Sequence, residues 1–236
     1  MNYGYFDDKN KEYVITRPDT PSPWMNYLGN GKFSGMISNN AGGLVFDSDP
    51  GSHRITKYNH SGVPMDRPGH YLYLRDMESG EYWSASWQPV MRDMQEYECR
   101  HGMGYSIFTG VKNDLKAQVT SFVPMGYTCE VNKLTLTNES DTVKNFSVFS
   151  YVEFCLWNAM DDMTNFQRNF STGEVEVMGS VIIHKTEYRE RRRHYAIFGV
   201  NTPIDGFDTD RDSFLGAYRG YHNPQVVEDG KSKNSM

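Results

Sequence analysis

Short stretches of alternating side chains, separated by turn-forming residues, constrain this chain more than any other feature. In residues 145–157 both alternating sets are rich in apolar groups, which predicts a central strand covered on both faces. From Leu115 to Thr120 apolar and polar residues alternate, which predicts a strand with one wet face, and Lys112–Asp114 before it is a natural hairpin loop. Further strands are predicted at Tyr71–Arg75, Tyr82–Trp87, Glu130–Thr137, Glu174–Val177, Ser180–His184 and Tyr195–Asn201.

Turn chemistry recurs throughout the chain, as in Asn30-Gly31, Ser79-Gly80 and Thr172-Gly173. Helix-period patterns are rare. Many short strands joined by such turns predict an all-β fold, which is either a β-sandwich or a barrel. We interpret residues 1–236 as a single domain, since 236 residues can bury a sizeable core without disulfides or metals.

Charge, hydrophobicity and cysteine content limit the partners and the cellular location that the sequence predicts. The net charge of −6, with mixed signs along the chain, gives no general attraction for nucleic acid or anionic lipid. No stretch is long and apolar enough to span a bilayer, and the N-terminal residues lack the apolar segment of a signal peptide. The 3 cysteines are widely spaced and show no metal-binding pattern, which predicts reduced thiols and a cytoplasmic location.

Gln167 and Arg168 are the strongest candidates for a binding role. They follow the apolar stretch 145–157 and an acidic turn at 161–164, and loops carried on a rigid sheet are where binding groups concentrate. Arg offers a planar fork of donors and Gln offers both donor and acceptor, a combination that suits sugar hydroxyls. The alternative is a solvated loop in which Arg168 pairs with Asp161 or Asp162. Asn165 and Asn169 are predicted to shape the loop through local hydrogen bonds.

Other candidate sites are weaker. Asp208–Asp212 resembles the start of a calcium loop, but the sixth and twelfth positions hold Ser213 and Arg219, so a surface turn is favoured. The basic run Arg189–Arg193, beside two glutamates, fits an interface network better than a phosphate site. Core packing is the default for the tryptophans, and Trp157 is the one worth testing as a sugar platform. No pattern predicts a metal site or a catalytic histidine.

An ordered set of motifs resembles the inverting phosphorylases of cellobiose, cellodextrins and chitobiose. They run nearly end to end: Gly4-Tyr5-Phe6-Asp7-Asp8, Glu12–Thr16, Pro23–Gly29, Gly35–Asn39 with Ala41-Gly42-Gly43, Trp87-Gln88-Pro89-Val90, Asn165–Gly173, His184–Arg192, Gly206–Arg211 and Phe214-Leu215-Gly216. The set as a whole is similar to the cellobiose phosphorylase group. This resemblance implies an N-terminal β-sandwich, followed in the family by a helical linker, an (α/α)6 barrel and a jelly roll.

The resemblance also implies the chemistry. Phosphate attacks the anomeric carbon of cellobiose and gives α-glucose 1-phosphate and glucose with inversion. No cofactor is implied, since inorganic phosphate is a co-substrate. The catalytic acid and the phosphate-binding residues lie in the family's barrel, so none is expected here and this segment alone is expected to be inactive. Gln167 and Arg168 match the pair that holds the acceptor-side sugar of the neighbouring subunit, which implies a homodimer.

Two other functions stay open on the sequence alone. One is a carbohydrate-binding sandwich without catalysis, and the other is a structural dimerisation domain. The weakly periodic residues 205–236 end in what reads as a loop, so we expect a truncated sandwich that lacks its last strands. Such a piece leaves a sheet edge unpaired, through which it is expected to aggregate or bind partners.

Overall fold

The computed structural model describes residues 2–60, 66–67, 69–165, 173–186 and 194–236. The described strands are β1 (Gly4–Asp7), β2 (Glu12–Ile15), β3 (Met25–Gly29), β4 (Phe33–Ser38), β5 (Gly43–Asp47), β6 (Arg54–Thr56), β7 (Asn59–His60), β8 (Asp66–Arg67), β9 (His70–Asp76), β10 (Tyr82–Trp83), β11 (Glu96–Gly102), β12 (Tyr105–Lys112), β13 (Leu115–Phe122), β14 (Val131–Asn138), β15 (Phe146–Val152), β16 (Phe154–Trp157), β17 (Glu174–Met178), β18 (Val181–Thr186) and β19 (His194–Gly199). The described helices are α1 (Ala159–Thr164), α2 (Arg211–Leu215) and α3 (Gln225–Asp229).

The strands form antiparallel sheets, which confirms the predicted all-β class. The order in the largest, six-stranded sheet is β1-β2-β11-β12-β13-β14. A five-stranded sheet has the order β16-β6-β5-β4-β3, and a three-stranded sheet has the order β10-β9-β15. A further three-stranded sheet, β17-β18-β19, and the pair β7-β8 complete the described strands.

The main core lies between the six-stranded sheet and the five- and three-stranded sheets that face it. Phe108, Ala117 and Cys99 contribute from the first layer, and Ile37 and Trp83 from the second. Burying large apolar side chains of this kind stabilises the fold by about 1.5–3 kcal/mol each. This layered packing is a large antiparallel β-sandwich, one of the two arrangements that the strands predicted and the one that the resemblance implies.

The three-stranded sheet β10-β9-β15 is buried on both faces, because its side chains alternate between two clusters. Leu72 and Leu74 of β9 face the main core, whereas Tyr71 and Tyr73 face a second, aromatic cluster. That cluster also contains Tyr82, Tyr151, Phe214, Val226 and Val227. Helices α2 and α3 therefore cover the face of this sheet that points away from the sandwich.

Most predicted strands are confirmed within one or two residues, as at β9, β13, β14, β17, β18 and β19. The predicted hairpin loop is a two-residue turn, Asn113-Asp114, with φ of 52° and 57°. Both residues therefore lie in the left-handed region that a type I′ turn requires, which Asn and Asp tolerate. The strand predicted at Tyr82–Trp87 ends at Trp83, since Trp87 turns back to donate its N–H to the Ser84 carbonyl.

One prediction about the strands was wrong, and the C-terminal segment holds helices that the sequence analysis did not predict. Residues 145–157 form two strands in different sheets, with Glu153 between them, and β15 is a terminal strand of its described sheet rather than a central one. The segment 205–236 contains two helices. Asp210 caps α2 by accepting a hydrogen bond from the Ser213 N–H, and Pro224 and Gly230 bracket α3. Pro at the start and Gly at the end of a helix were signals that the sequence carried.

Several of the family-like motifs build a buried polar network rather than a surface. Asn39 is fully buried and its side-chain oxygen accepts hydrogen bonds from the Trp24 N–H and the Thr20 hydroxyl. Its own backbone carbonyl accepts a hydrogen bond from the Tyr97 hydroxyl at 2.5 Å. These bonds hold the residues that lead into β3 against the six-stranded sheet. The motif Gly35–Asn39 therefore has a structural role.

His101 forms a second set of buried hydrogen bonds, also centred on Trp24. Its Nε2 lies 3.0 Å from the Trp24 carbonyl, which can only accept, so Nε2 carries the proton. Its Nδ1 then accepts from the Ser106 hydroxyl at 2.8 Å. Asn26 joins this network by donating to the Ser106 hydroxyl oxygen and the Gly102 carbonyl. Burial lowers the pKa of His101, against a smaller opposing effect of the Trp24 carbonyl.

We expect the free energy of unfolding to fall as the pH decreases through the ordinary histidine pKa of about 6.5. The unfolded chain binds a proton at His101 more readily than the folded chain, so the stabilisation is present above that pH and lost below it. His101→Gln should reduce the slope by up to about 1.4 kcal/mol per pH unit. Urea unfolding between pH 8 and pH 5 measures this. Equal slopes in the wild-type protein and the variant would contradict the prediction.

Candidate functional site

The predicted sugar-binding residues Gln167 and Arg168, and the neighbouring Asn169, lie outside the described residues, as does the basic run 189–193. The structure describes both flanks of this loop, up to Asn165 on one side and from Gly173 on the other. The candidate site is therefore described through the strands and the helix on either side of the predicted loop. We call this support, made of β16, α1 and the sheet β17-β18-β19, the loop platform.

The N-terminal side of the platform is a strand that turns abruptly into a short helix. Trp157 ends β16 with a φ of 80°, and Asn158 caps α1 by accepting a hydrogen bond from the Asp161 N–H at 2.8 Å. Asn165 ends the helix by donating its N–H to the Asp161 carbonyl at 2.9 Å and its side-chain amide to the Asp161 carboxylate at 3.1 Å. Asn165 therefore fixes the C-terminal end of α1, and its predicted role in shaping the residues that follow stays a prediction.

The two carboxylates proposed as alternative partners of Arg168 have described partners of their own. Asp161 receives the Asn165 side chain, and the Asp162 carboxylate lies 3.9 Å from Lys57 Nζ on the chain after β6. The Asp162 side chain is only 7% exposed, so α1 is held against the five-stranded sheet. The competing prediction of an Arg168 ion pair stays a prediction.

Trp157 is half-buried, and the His53 ring lies beside its indole with the centroids 5.0 Å apart. This contact occupies part of the indole surface, and a sugar-stacking role for Trp157 stays a prediction. Core packing, the default for the other tryptophans, is confirmed for Trp83, which is fully buried. Trp24 packs edge-on against Tyr3, with ring centroids 5.9 Å apart.

The C-terminal side of the platform meets the same strand. His184 of β18 stacks on Phe154 of β16, with ring centroids 5.5 Å apart and an interplanar angle of 20°. Gly173 lies so close to this ring that a Cβ atom there would come within 2.4 Å of His184 Nε2. Burial lowers the pKa of His184 and favours its neutral form. Both flanks of the loop are thus anchored at β16.

Glu153, at the crossing from β15 to β16, is the main polar group beneath the platform. Its Oε1 accepts hydrogen bonds from the hydroxyls of Tyr151 at 2.5 Å and Tyr221 at 2.9 Å. Arg211 Nη1 of α2 lies 3.8 Å from the same oxygen. Burial, and then the Glu153 charge, raise the pKa of Tyr151, which keeps its hydroxyl protonated as a donor.

Sequence reasoning missed Glu153 as a site residue, although a signal was present. It is the only charged residue in the alternating stretch 145–157, and a carboxylate that is largely shielded from water needs partners. Two of its partners, Arg211 and Tyr221, come from the C-terminal segment, so their proximity depends on the fold. Through Glu153 the C-terminal segment contacts the strand that carries the loop.

The predicted surface turn that begins at Asp208 makes contacts within the C-terminal segment. The Asp208 carboxylate accepts hydrogen bonds from the backbone N–H groups of Lys233 and Ser235 and from the Ser235 hydroxyl, so it links the two ends of the segment 208–235.

Among the described residues, histidine, cysteine and acidic side chains form no group of three that could hold a metal ion. Across the same residues, no helix has both the length and the apolar character that crossing a membrane requires.

We expect Tyr221→Phe to lower the free energy of unfolding by about 1.5–3 kcal/mol, because it removes a hydrogen bond to a charged and poorly exposed carboxylate. Tyr218→Phe is the matched control, since Tyr218 is fully exposed and its change should cost less than about 0.5 kcal/mol. Chemical denaturation of both variants measures the difference. Equal stabilities would show that the Glu153 cluster does not hold the C-terminal segment.

The chain is similar over nearly its whole length to three curated relatives. It is 44% identical to N,N'-diacetylchitobiose phosphorylase of Vibrio proteolyticus and 42% identical to the protein of that name from Vibrio furnissii, each over 100% of this chain. It is 28% identical to solabiose phosphorylase of Paenibacillus borealis over 99% of the chain. The chain spans about 30% of the length of these relatives.

These similarities confirm the predicted resemblance to the disaccharide phosphorylases. They do not test the finer assignment to cellobiose, because the three relatives are named for other sugars. The family model of the glycosyl hydrolase 94 supersandwich domain matches residues 11–236, and the chain belongs to that family.

Proposed function

We propose that this chain is the N-terminal domain of an inverting glycoside phosphorylase. The observation that carries the proposal is the 44% identity, over the whole chain, to an enzyme named as a disaccharide phosphorylase. The sandwich and the anchored platform support it, because they offer a rigid carrier for a loop that contacts sugar. The residues expected to act on substrate here are Gln167 and Arg168, and the catalytic acid belongs to another part of the full-length protein.

In the proposed reaction, inorganic phosphate attacks the anomeric carbon of a β-linked disaccharide. The bond from that carbon to the glycosidic oxygen breaks, and a carboxylic acid protonates the departing oxygen. Phosphate is already an anion, so no general base is needed to activate it, unlike the water of an inverting hydrolase. The products are an α-sugar 1-phosphate and a free sugar, and no other cofactor is required.

Two disaccharides are candidate substrates. The motifs of the sequence favour cellobiose. The relatives at 44% and 42% identity, both named N,N'-diacetylchitobiose phosphorylases, favour the acetylated disaccharide as the second candidate. The two sugars differ at the acetamido groups, so a single set of assays separates them.

The proposal extends to assembly and location. We propose a homodimer in which this domain lends the Gln167–Arg168 loop to the pocket of its partner. Cys99 is a buried thiol and Cys129 an exposed one, which supports the proposed cytoplasmic location, where thiols stay reduced. The alternatives, a sugar-binding sandwich without catalysis or a purely structural domain, are less well supported, since the three relatives compared above are named phosphorylases.

We expect the full-length protein to release a sugar 1-phosphate from cellobiose or from N,N'-diacetylchitobiose only when inorganic phosphate is present. Quantifying sugar 1-phosphate and free sugar with and without phosphate tests the reaction, and comparing kcat/KM for the two disaccharides identifies the substrate. The 236-residue chain by itself is the control and should show no turnover. Hydrolysis at the same rate without phosphate would contradict the proposal.

We expect Gln167→Ala and Arg168→Ala to raise the KM for the acceptor sugar about tenfold or more in the synthetic direction, since each removes hydrogen bonds to sugar hydroxyls. The KM for phosphate should change less than about twofold. Arg17→Ala is the matched control, because the Arg17–Asp19 pair is exposed and such pairs contribute little. Equal losses toward acceptor and phosphate would disprove the assigned role.

A further inference from the structure

The ring of His184 lies between two parts of the loop platform. On one side it stacks on Phe154, with an interplanar angle of 20° and the centroids 5.5 Å apart. On another side its Nε2 lies only 2.4 Å from the position that a Cβ atom of residue 173 would take. Its Nδ1 is buried and has no hydrogen-bond partner within the described part of the chain. Because a buried polar atom without a partner lowers stability, packing alone would favour an apolar side chain at this position.

Gly173 packs directly on this ring because it has no side chain. A Cβ atom there would also lie 2.7 Å from the Lys185 carbonyl oxygen, a main-chain atom that cannot rotate away. The next residue, Glu174, pairs with Lys185 in the sheet, and its carboxylate lies 3.0 Å from Lys185 Nζ. The chain that enters β17 is therefore fixed against β18, with the imidazole beside it.

Side-chain contact, not backbone pairing, joins this small sheet to β16. Among the described strands, β17, β18 and β19 pair only with one another, whereas β16 pairs with β6. The Phe154–His184 stack therefore ties the entry into β17 to the strand that leads, through α1, to Asn165. Both ends of the segment 166–172 are thus anchored to β16, one by the chain itself and the other by the stack.

This double anchoring bears on sugar binding, because the segment 166–172 includes Gln167 and Arg168. A short segment that is fixed at both ends has fewer conformations than one fixed at a single end. It therefore loses less conformational entropy when it binds a ligand, and a contact that fixes one end increases affinity without touching the ligand.

We propose that Phe154 and His184 are positioning residues for the acceptor sugar, because their stack fixes the C-terminal end of the segment that carries Gln167 and Arg168. Neither ring touches the sugar. The inference rests on the proposed function and deepens it by naming the contact that holds the sugar-binding pair. Loss of the stack should therefore weaken binding of the acceptor sugar and leave the other substrate unaffected.

Removing one ring at a time from the full-length protein tests this role in the synthetic direction. We expect Phe154→Leu and His184→Leu each to raise the KM for the acceptor sugar about threefold or more, while kcat and the KM for sugar 1-phosphate change less than about twofold. Phe154→Tyr keeps the ring and should stay within about twofold of the wild type. Since the two rings form one contact, the double Leu variant should raise the acceptor KM no further than the larger single effect, whereas independent effects would multiply.

Two further variants guard against a general effect on folding. Phe6→Leu is the matched control, because it removes a ring that contacts Tyr13 in the six-stranded sheet, with centroids 4.8 Å apart, and it should leave all three kinetic constants unchanged. Gly173→Ala keeps both stacked rings and should still raise the acceptor KM, because its Cβ does not fit against His184 and Lys185. It serves as the test if thermal unfolding shows that a Leu variant does not fold.

Three outcomes would overturn the inference, and they separate it from the proposed function. An unchanged acceptor KM in Phe154→Leu and His184→Leu, while Gln167→Ala still raises it, would overturn the positioning role alone. Equal losses toward acceptor and sugar 1-phosphate would show that the stack only stabilises the fold. A wild-type protein that forms no sugar 1-phosphate from phosphate would overturn the proposed function and this inference with it.

Discussion

The architecture depends on the need to cover both faces of the three-stranded sheet β10-β9-β15. Leu72 and Leu74 point into the sandwich, and Tyr71 and Tyr73 point away from it, so neither face can be left to water without exposing large apolar groups. The six-stranded sheet covers one face. The other is covered by α2 and α3, which explains why residues 205–236 lie against the sandwich although they add no described strand to it.

The strands could be predicted from the sequence because successive side chains of a half-buried strand point alternately to the core and to solvent, which gives a hydrophobic pattern with a period of two. The split of residues 145–157 was not readable. The chain changes sheets at Glu153 without changing the phase of its alternation, so Tyr151 and Cys155 on either side are both buried as in a continuous strand. The helices of the C-terminal segment were missed because each is five residues long, too short for a helical period to emerge.

The candidate site was predictable only in part. The sequence predicts a binding loop after an apolar stretch and an acidic turn, and Gln167 and Arg168 of that predicted loop lie outside the described residues. The Glu153 cluster depends on contacts between residues separated by 68 positions, such as that with Tyr221, which no local pattern encodes. The motifs shared with the phosphorylases likewise divide between buried structural networks, as at Asn39, and the loop that is proposed to contact sugar.

The crossing at Glu153 has a mechanical consequence. Its backbone N–H donates to Gly69 and its carbonyl accepts from Lys57, while its side chain holds the C-terminal segment. One residue therefore ties together the three-stranded sheet, the five-stranded sheet and the helical cover. Sliding of one sheet past the other would have to break these bonds at Glu153, so this residue opposes relative movement of the two sheets.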